Sequence, residues 1–155
     1  MDLDEQIIRA TEDIPGLSTL VVFGSRARGA HRPDSDLDVA VLPDTEDSLL
    51  RRRLQAGLAA ALAELAPEGR VDVVLLDEAP DVLRQRVMET GRVLICRDAE
   101  AWKELRVRTM REYGDREWAR RLFREAQFRR LTKGEPSGRS GKALDSLRRI
   151  GKLPR

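Results

Sequence analysis

Four short runs of apolar, largely β-branched residues divide the first hundred residues of this 155-residue chain. Each run is flanked by glycine, proline or charged residues, and each has the length and residue types of a buried strand. The predicted strands are residues 18–23, 36–42, 70–76 and 92–96. Because the segments between the runs show helical spacing of apolar residues, the sequence favours helices packed on a small sheet.

The predicted helices lie before, between and after these strands. They cover residues 2–13, 46–65, 79–90 and 99–131, and a short helical turn is expected after Gly24. The 46–65 segment repeats leucine every fourth residue, which places an apolar stripe on one face of the helix. The resulting order of elements predicts an α/β (α+β) domain, ending in an unusually long helix that Gly114 either interrupts or only weakens.

Charge separates the C-terminal tail from the rest of the chain. Residues 132–155 hold seven basic and two acidic residues and begin with small and turn-forming residues, whereas the preceding part is slightly acidic. We therefore expect a core at 1–98, a long helix at 99–131 and a flexible basic tail at 132–155. The aromatic residues of the helix are expected in the core, in self-association or against a partner, and the tail is either solvated or docks on an acidic partner.

Composition excludes several classes of chemistry. With one histidine and one cysteine, a Cys/His zinc site and a Ser-His-Asp mechanism are poorly supplied. No apolar run approaches the roughly 18 residues that cross a bilayer. Residues 1–5 are acidic and lack the features of a signal peptide, so a cytoplasmic location without membrane contact is expected. Aromatic residues make up 4%, too few for a base-stacking surface, which argues against nucleic acid as substrate.

A glycine and a serine stand where the first predicted strand ends. Gly24 allows a backbone conformation with positive φ and a close approach to a ligand, and Ser25 adds a hydroxyl group. Arg26 and Arg28 supply positive charge that can neutralise phosphate oxygens, although Arg28 is equally well explained as a solvated arginine. The segment therefore predicts phosphate binding, with an empty strand-to-helix turn as the alternative.

Two aspartates follow in the second predicted strand. Asp36 and Asp38 lie two positions apart, so their side chains leave the same face of the strand while Leu37 faces the core. Asp72 is the one charge in the apolar run of the third strand, and it joins the other two if that strand lies beside the second. Carboxylates without histidine or cysteine are typical ligands of Mg²⁺, and three of them make a two-metal site plausible.

The spacing of these residues carries a family resemblance. Gly24-Ser25, ten further residues and then Asp36-Leu37-Asp38 resemble the signature of polymerase-β-like nucleotidyltransferases. Residues 23–29 (FGSRARG) are similar to the minimal nucleotidyltransferases, or MNT proteins, which are commonly antitoxins paired with a HEPN-domain toxin. The resemblance covers roughly residues 1–98. It implies the fold of that superfamily, a small mixed sheet flanked by helices, to which this chain adds its long C-terminal helix.

The resemblance also implies roles for individual residues. Gly24 and Ser25 would hold the β- and γ-phosphates of a nucleoside triphosphate. Asp36 and Asp38 would bind two Mg²⁺ ions, and Asp72 would share one of them and act as base toward an acceptor hydroxyl. The implied reaction releases pyrophosphate and leaves a nucleoside monophosphate on the acceptor, with ATP as the expected donor.

Three interpretations of the acceptor remain open at this point. In the first, the acceptor is a tyrosine of a HEPN-type toxin, which AMP transfer silences, and the chain is an antitoxin. In the second, the chain is an antitoxin that masks its partner by binding, without catalysis. In the third, the chemistry is kept but the acceptor is a small hydroxyl compound such as an aminoglycoside.

Overall fold

In the computed structural model of the protein, residues 1–27, Gly29 and 35–133 are described, with 129–133 described by their backbone alone. Arg28 and the segment 134–155 therefore lie outside the described residues, and the expectations for them are not tested. The predicted order of elements is confirmed. The strands are β1 Leu17–Phe23, β2 Leu37–Pro43, β3 Val71–Leu75 and β4 Arg92–Cys96. The helices are α1 Leu3–Thr11, α2 Gly24–Ala27, α3 Ser48–Leu62, α4 Asp81–Thr90 and α5 Ala99–Lys133.

Side-chain caps fix where two of the helices begin. The Asp2 carboxylate accepts the backbone N–H of Glu5 at the start of α1. The Asp47 carboxylate accepts two backbone N–H groups at the start of α3, both at 2.9 Å. These bonds satisfy donors that a helix leaves unpaired in its first turn. Helix α3 therefore begins two residues later than predicted, and it ends earlier because its last predicted turn is a separate 3-10 turn, Ala63–Leu65.

The four strands form one mixed sheet in the order β3-β2-β1-β4. Strand β1 pairs antiparallel with both β2 and β4, and β2 pairs parallel with β3. In this register Asp38 lies opposite Phe23 on one side and opposite Asp72 on the other. The expectation that the third strand lies beside the second is therefore confirmed.

Apolar side chains cover both faces of the sheet. One face of β2 presents Leu37, Val39 and Val41 to a core formed with α1 and α3. The opposite face presents Ala40 and Leu42 to a second core that includes residues of α4 and of the first turns of α5. Asp38 alternates with Leu37 and Val39, so it belongs to this second face, at the end of β2 where the apolar cover stops.

The chain divides into two compact units, Met1–Gly114 and Asp115–Arg155. The first turns of α5 contribute to the core of the first unit, with Leu105 buried in it, and the sequence-based division after residue 98 stays a prediction. Helix α5 continues through Gly114, so the break in the helix that the sequence allowed at this residue does not occur. In the part of the chain that the structure describes, no helix is long and apolar enough to span a membrane.

Gly91, between α4 and β4, provides a test of how tightly the helices pack on the sheet. A Cβ atom at this position would lie 2.6 Å from Val21 Cγ1 and would also collide with the Val87 carbonyl oxygen. We expect Gly91→Ala to lower the free energy of unfolding by about 1–3 kcal/mol, because a packed interior gives way only at such a cost.

Gly57 in α3 is the matched control, because a Cβ there would meet no atom within 4 Å. We expect Gly57→Ala to raise the free energy of unfolding by up to about 1 kcal/mol, as alanine favours a helix over glycine. Urea denaturation of both variants measures the difference. Equal effects of the two substitutions would contradict the packing described here.

Candidate active site

The turn after β1 brings the backbone of Gly24 against a carboxylate of β2. Gly24 has φ of +73°, a conformation that residues with a Cβ rarely adopt. A Cβ at this position would collide with Asp38 Oδ2 and would lie 3.0 Å from Asp38 Cγ. The sequence-based expectation of positive φ and close approach at Gly24 is therefore confirmed, and what approaches the glycine is Asp38. Ser25 follows in the first turn of α2 and is partly exposed.

The three predicted aspartates lie in one neighbourhood at the same end of the sheet. Asp38 and Asp72 are directly paired across the parallel strands, and Asp36 lies one residue before β2 begins. The pKa of the Asp38 carboxyl is raised above its ordinary value of 3.8, first by burial and then by the charges of Asp72 and Asp36. Arg26 opposes this shift in pKa. The structure thus brings the carboxyl groups of Asp36 and Asp72 within electrostatic range of Asp38.

Asp72 differs from the expectation in its surroundings. The sequence placed it as a charge within a core strand, whereas the structure leaves it exposed. The reason is topological: β3 is an edge strand, and Asp72 is its second residue, on the face opposite buried Val73. Solvent therefore hydrates the carboxylate, and its proximity to Asp38 does not depend on burial.

Two arginines hold the backbone on either side of the site. Arg26 donates from Nε and Nη2 to the carbonyl oxygen of Ser35, at 3.2 and 3.0 Å, which joins α2 to the residue before Asp36. Arg92 donates from Nη1 to the carbonyl oxygen of Ala27 at 3.1 Å. The sequence suggested Arg26 as a phosphate contact, and the structure shows it holding the backbone.

Arg70 is a residue of the site that the sequence analysis missed. Its Nε lies 3.0 Å from Asp36 Oδ1, and its Nη1 lies 3.7 Å from Glu68 Oε2. The only signal in the sequence is a basic residue directly before the strand that carries Asp72. That signal becomes meaningful only when the strand register places Arg70 beside Leu37, the residue that follows Asp36.

The donor atoms available here are carboxylate oxygens. Among the described residues, no group of three or more His, Cys, Asp or Glu side chains is arranged to hold a metal ion. Burial and then the charges of Asp72 and Asp36 raise the pKa of Asp38, and a cation between these carboxylates would relieve the repulsive part of that shift. Mg²⁺ commonly binds one or two carboxylates together with substrate phosphates and water. The residues therefore fit a magnesium ion shared with a phosphate ligand.

Comparison with known proteins places this site in a family. Residues 5–100 match the family model described as "Polymerase beta, Nucleotidyltransferase". The chain therefore belongs to the polymerase beta nucleotidyltransferase family, and the predicted resemblance is confirmed. All five motif residues that the structure describes, Gly24, Ser25, Asp36, Asp38 and Asp72, lie inside the matched segment.

A curated relative and several solved structures resemble this chain more specifically than the family model does. The chain is 39% identical over 93 residues to the protein adenylyltransferase MntA of Shewanella oneidensis. That match covers 59% of this chain and 63% of the relative, so the chain spans less than two thirds of that protein's length. A crystal structure of a toxin–antitoxin with AMP-PNP matches with 31% identity and a TM-score of 0.60, covering 81% of this chain and 98% of the other.

A second solved structure shows a modified toxin. It is a tri-AMPylated HEPN toxin of Shewanella oneidensis in complex with an MNT antitoxin. The match has 30% identity and a TM-score of 0.55, and it covers 81% of this chain and 96% of the other. The TM-scores show that these relatives share the fold of this chain, in which the predicted mixed sheet with flanking helices is confirmed.

The close approach of Gly24 to Asp38 can be measured by a double-mutant cycle. We expect Gly24→Ala to lower the free energy of unfolding by about 2–4 kcal/mol, because it combines an unfavourable φ with a collision. In an Asp38→Ala background the same substitution is expected to cost about 1–3 kcal/mol less, since the collision is gone and only the backbone strain remains. Additive effects in urea denaturation would contradict the contact.

The electrostatic cost at Asp38 predicts a substitution that stabilises the fold. Because the folded-state pKa lies above 3.8, the ionised carboxyl opposes folding at pH 7, and this effect disappears when the pH falls below that value. In the absence of divalent cations, we expect Asp38→Asn to melt a few degrees above the parent protein at pH 7 and at about the same temperature near pH 3. A lower melting temperature of Asp38→Asn at pH 7 would contradict the account.

Proposed function

We propose that the protein is a Mg²⁺-dependent nucleotidyltransferase that transfers AMP from ATP to a tyrosine hydroxyl of a HEPN-type toxin and thereby acts as its antitoxin. The observation that carries the proposal is the pairing of Asp38 with Asp72 beside the Gly24 turn, within a segment that matches the nucleotidyltransferase family. The similarity to a protein adenylyltransferase and to a toxin–antitoxin with AMP-PNP supports the choice of ATP.

Each residue of the candidate site has its own proposed role. The backbone at Gly24 and the hydroxyl of Ser25, both partly exposed, would hold the β- and γ-phosphates, and Arg28 is proposed as a further phosphate contact. Asp36, Asp38 and Asp72 would hold two Mg²⁺ ions. When bound, these ions supply charge stabilisation at the phosphate under attack.

Asp72 is the residue that suits proton transfer. It is exposed at the open end of an edge strand, so an acceptor hydroxyl can approach it from solvent, whereas Asp38 is partly covered. In the proposed step the hydroxyl oxygen forms a bond to the α-phosphorus of ATP and its proton passes to the Asp72 carboxylate. The bond from the α-phosphorus to the bridging oxygen breaks, and pyrophosphate leaves with the electron pair.

The solved relatives support the choice of acceptor. One is a complex of an MNT antitoxin with a toxin that carries AMP groups, and another is an MntA–HepT mutant in which a tyrosine is replaced by alanine. A further mutant of that complex replaces two aspartates, two positions apart, by glutamate, which is the spacing of Asp36 and Asp38 here. A cytoplasmic location belongs to the same proposal because the donor is ATP, and the one cysteine, Cys96, is free.

Transfer of labelled AMP tests the proposal. The 155-residue chain is incubated with α-labelled ATP, Mg²⁺ and any HEPN-type protein that a neighbouring gene encodes. We expect label on the toxin, and we expect Asp38→Asn and Asp36→Asn each to lower the rate by a factor of about 10³ or more, since charge stabilisation in the transition state is lost. Chelation of divalent cations should abolish the transfer.

Asp44→Asn is the matched control, because Asp44 is an exposed acid just beyond the opposite end of β2. It should leave the rate within about twofold of the parent protein. Label on no acceptor, together with no binding of ATP, would refute the proposal. If Asp36→Ala/Asp38→Ala still protects cells from the toxin, the chain acts by masking instead, and label on an aminoglycoside would identify a small-molecule acceptor.

A further inference from the structure

The backbone of Arg70 is fixed at the entrance to the site. The residue follows the 3-10 turn Pro67–Gly69 and directly precedes β3. Its carbonyl oxygen accepts the N–H of Leu37 at 3.1 Å, and its own N–H donates to the Pro67 carbonyl at 3.1 Å. The first bond ties Arg70 to the first residue of β2, and the second closes the 3-10 turn, so the side chain of Arg70 lies beside Asp36.

The guanidinium group of Arg70 forms an ion pair with one carboxylate oxygen of Asp36. Its Nε lies 3.0 Å from Asp36 Oδ1, and the side chains of Arg70 and Asp36 are 49% and 56% exposed. Asp36 adjoins the strand that carries Asp38, and its charge contributes to the raised pKa of that residue. The arginine therefore binds an acid that the proposed function assigns to a metal ion.

We propose that Arg70 is a positioning residue that holds Asp36 in the nucleotide-free protein, so that a divalent cation must displace the guanidinium before Asp36 can become a ligand. The proposal rests on the proposed function, which makes Asp36 a metal ligand. A guanidinium and a divalent cation compete for the same carboxylate oxygen because both are positively charged. Arg70 therefore lowers the affinity of the empty site for the metal alone.

Nucleotide binding removes this competition. A guanidinium released from Asp36 at the edge of the site is placed to donate hydrogen bonds to phosphate oxygens, for which arginine is well suited. Metal and nucleoside triphosphate then bind cooperatively, because the phosphates occupy the arginine while the metal occupies the carboxylate. The pair is half exposed, so the expected effect is modest, about two- to fivefold in metal affinity.

Binding of Mn²⁺ to the full-length protein tests this inference, with Mn²⁺ as the probe and electron paramagnetic resonance or calorimetry as the readout. Without nucleotide, we expect Arg70→Gln to bind Mn²⁺ about two to five times more tightly than the parent protein. Arg70→Lys, which keeps the charge, should stay within about twofold of the parent. With a non-hydrolysable ATP analogue present, the advantage of Arg70→Gln should disappear, and its affinity for the analogue should fall by at least about twofold.

Arg53→Gln is the matched control, because it removes the same charge from an exposed position on α3. Its Mn²⁺ affinity should equal that of the parent at about 0.15 M salt, where charges more than roughly 8 Å apart are screened. Arg70→Met provides a second neutral variant if Arg70→Gln folds poorly, and the same gain in affinity is expected of it.

The outcomes separate this inference from the proposed function. Unchanged or weaker Mn²⁺ binding by the neutral Arg70 variants, in a protein whose Mn²⁺ binding is lost in Asp38→Asn, would overturn the role of Arg70 and leave the proposed function standing. Mn²⁺ binding that is absent, or that survives in Asp38→Asn, would overturn both.

Discussion

The close packing of the Gly24 backbone on the Asp38 carboxylate is the constraint on which the site depends. It requires a residue without a Cβ atom at a positive φ, and it requires β1 and β2 to pair so that Phe23 lies opposite Asp38. Once this register is set, the parallel pairing of β2 with β3 brings Asp72 beside Asp38. Strand β2 thus positions both parts of the candidate site, because it pairs with β1, which leads into the Gly24 turn, and with β3, which carries Asp72.

This arrangement carries a cost that the apolar core offsets. Burial, followed by the nearby charges of Asp72 and Asp36, disfavours the charge on Asp38 and raises its pKa. On the opposite face of the same strand, Leu37, Val39 and Val41 are fully buried, so the strand cannot move away from its neighbours without exposing them. Packing on the other side of the sheet therefore holds together a group of acids that would otherwise repel one another. A bound cation would turn this net repulsion into attraction.

Much of the fold could be predicted from the sequence because its local signals agree. Apolar runs located all four strands, and the spacing from Gly24 to Asp36 and Asp38 indicated the candidate site. The exposure of Asp72 could not be predicted, because the order of strands in the sheet decides which strand is the edge. The contact between Arg70 and Asp36 joins residues far apart in the chain and exists only in one strand register. The packing of the first turns of α5 on the core could not be predicted, because charge and composition do not reveal which part of a helix is covered.

The most direct measurement is a crystal structure of the protein with Mn²⁺ and a non-hydrolysable ATP analogue, with the metal located by anomalous scattering. We expect metal density between the carboxylates of Asp36, Asp38 and Asp72, with the triphosphate lying on the Gly24-Ser25 turn and Arg70 released from Asp36. Metal bound elsewhere, or a triphosphate that leaves this turn uncovered, would contradict this expectation.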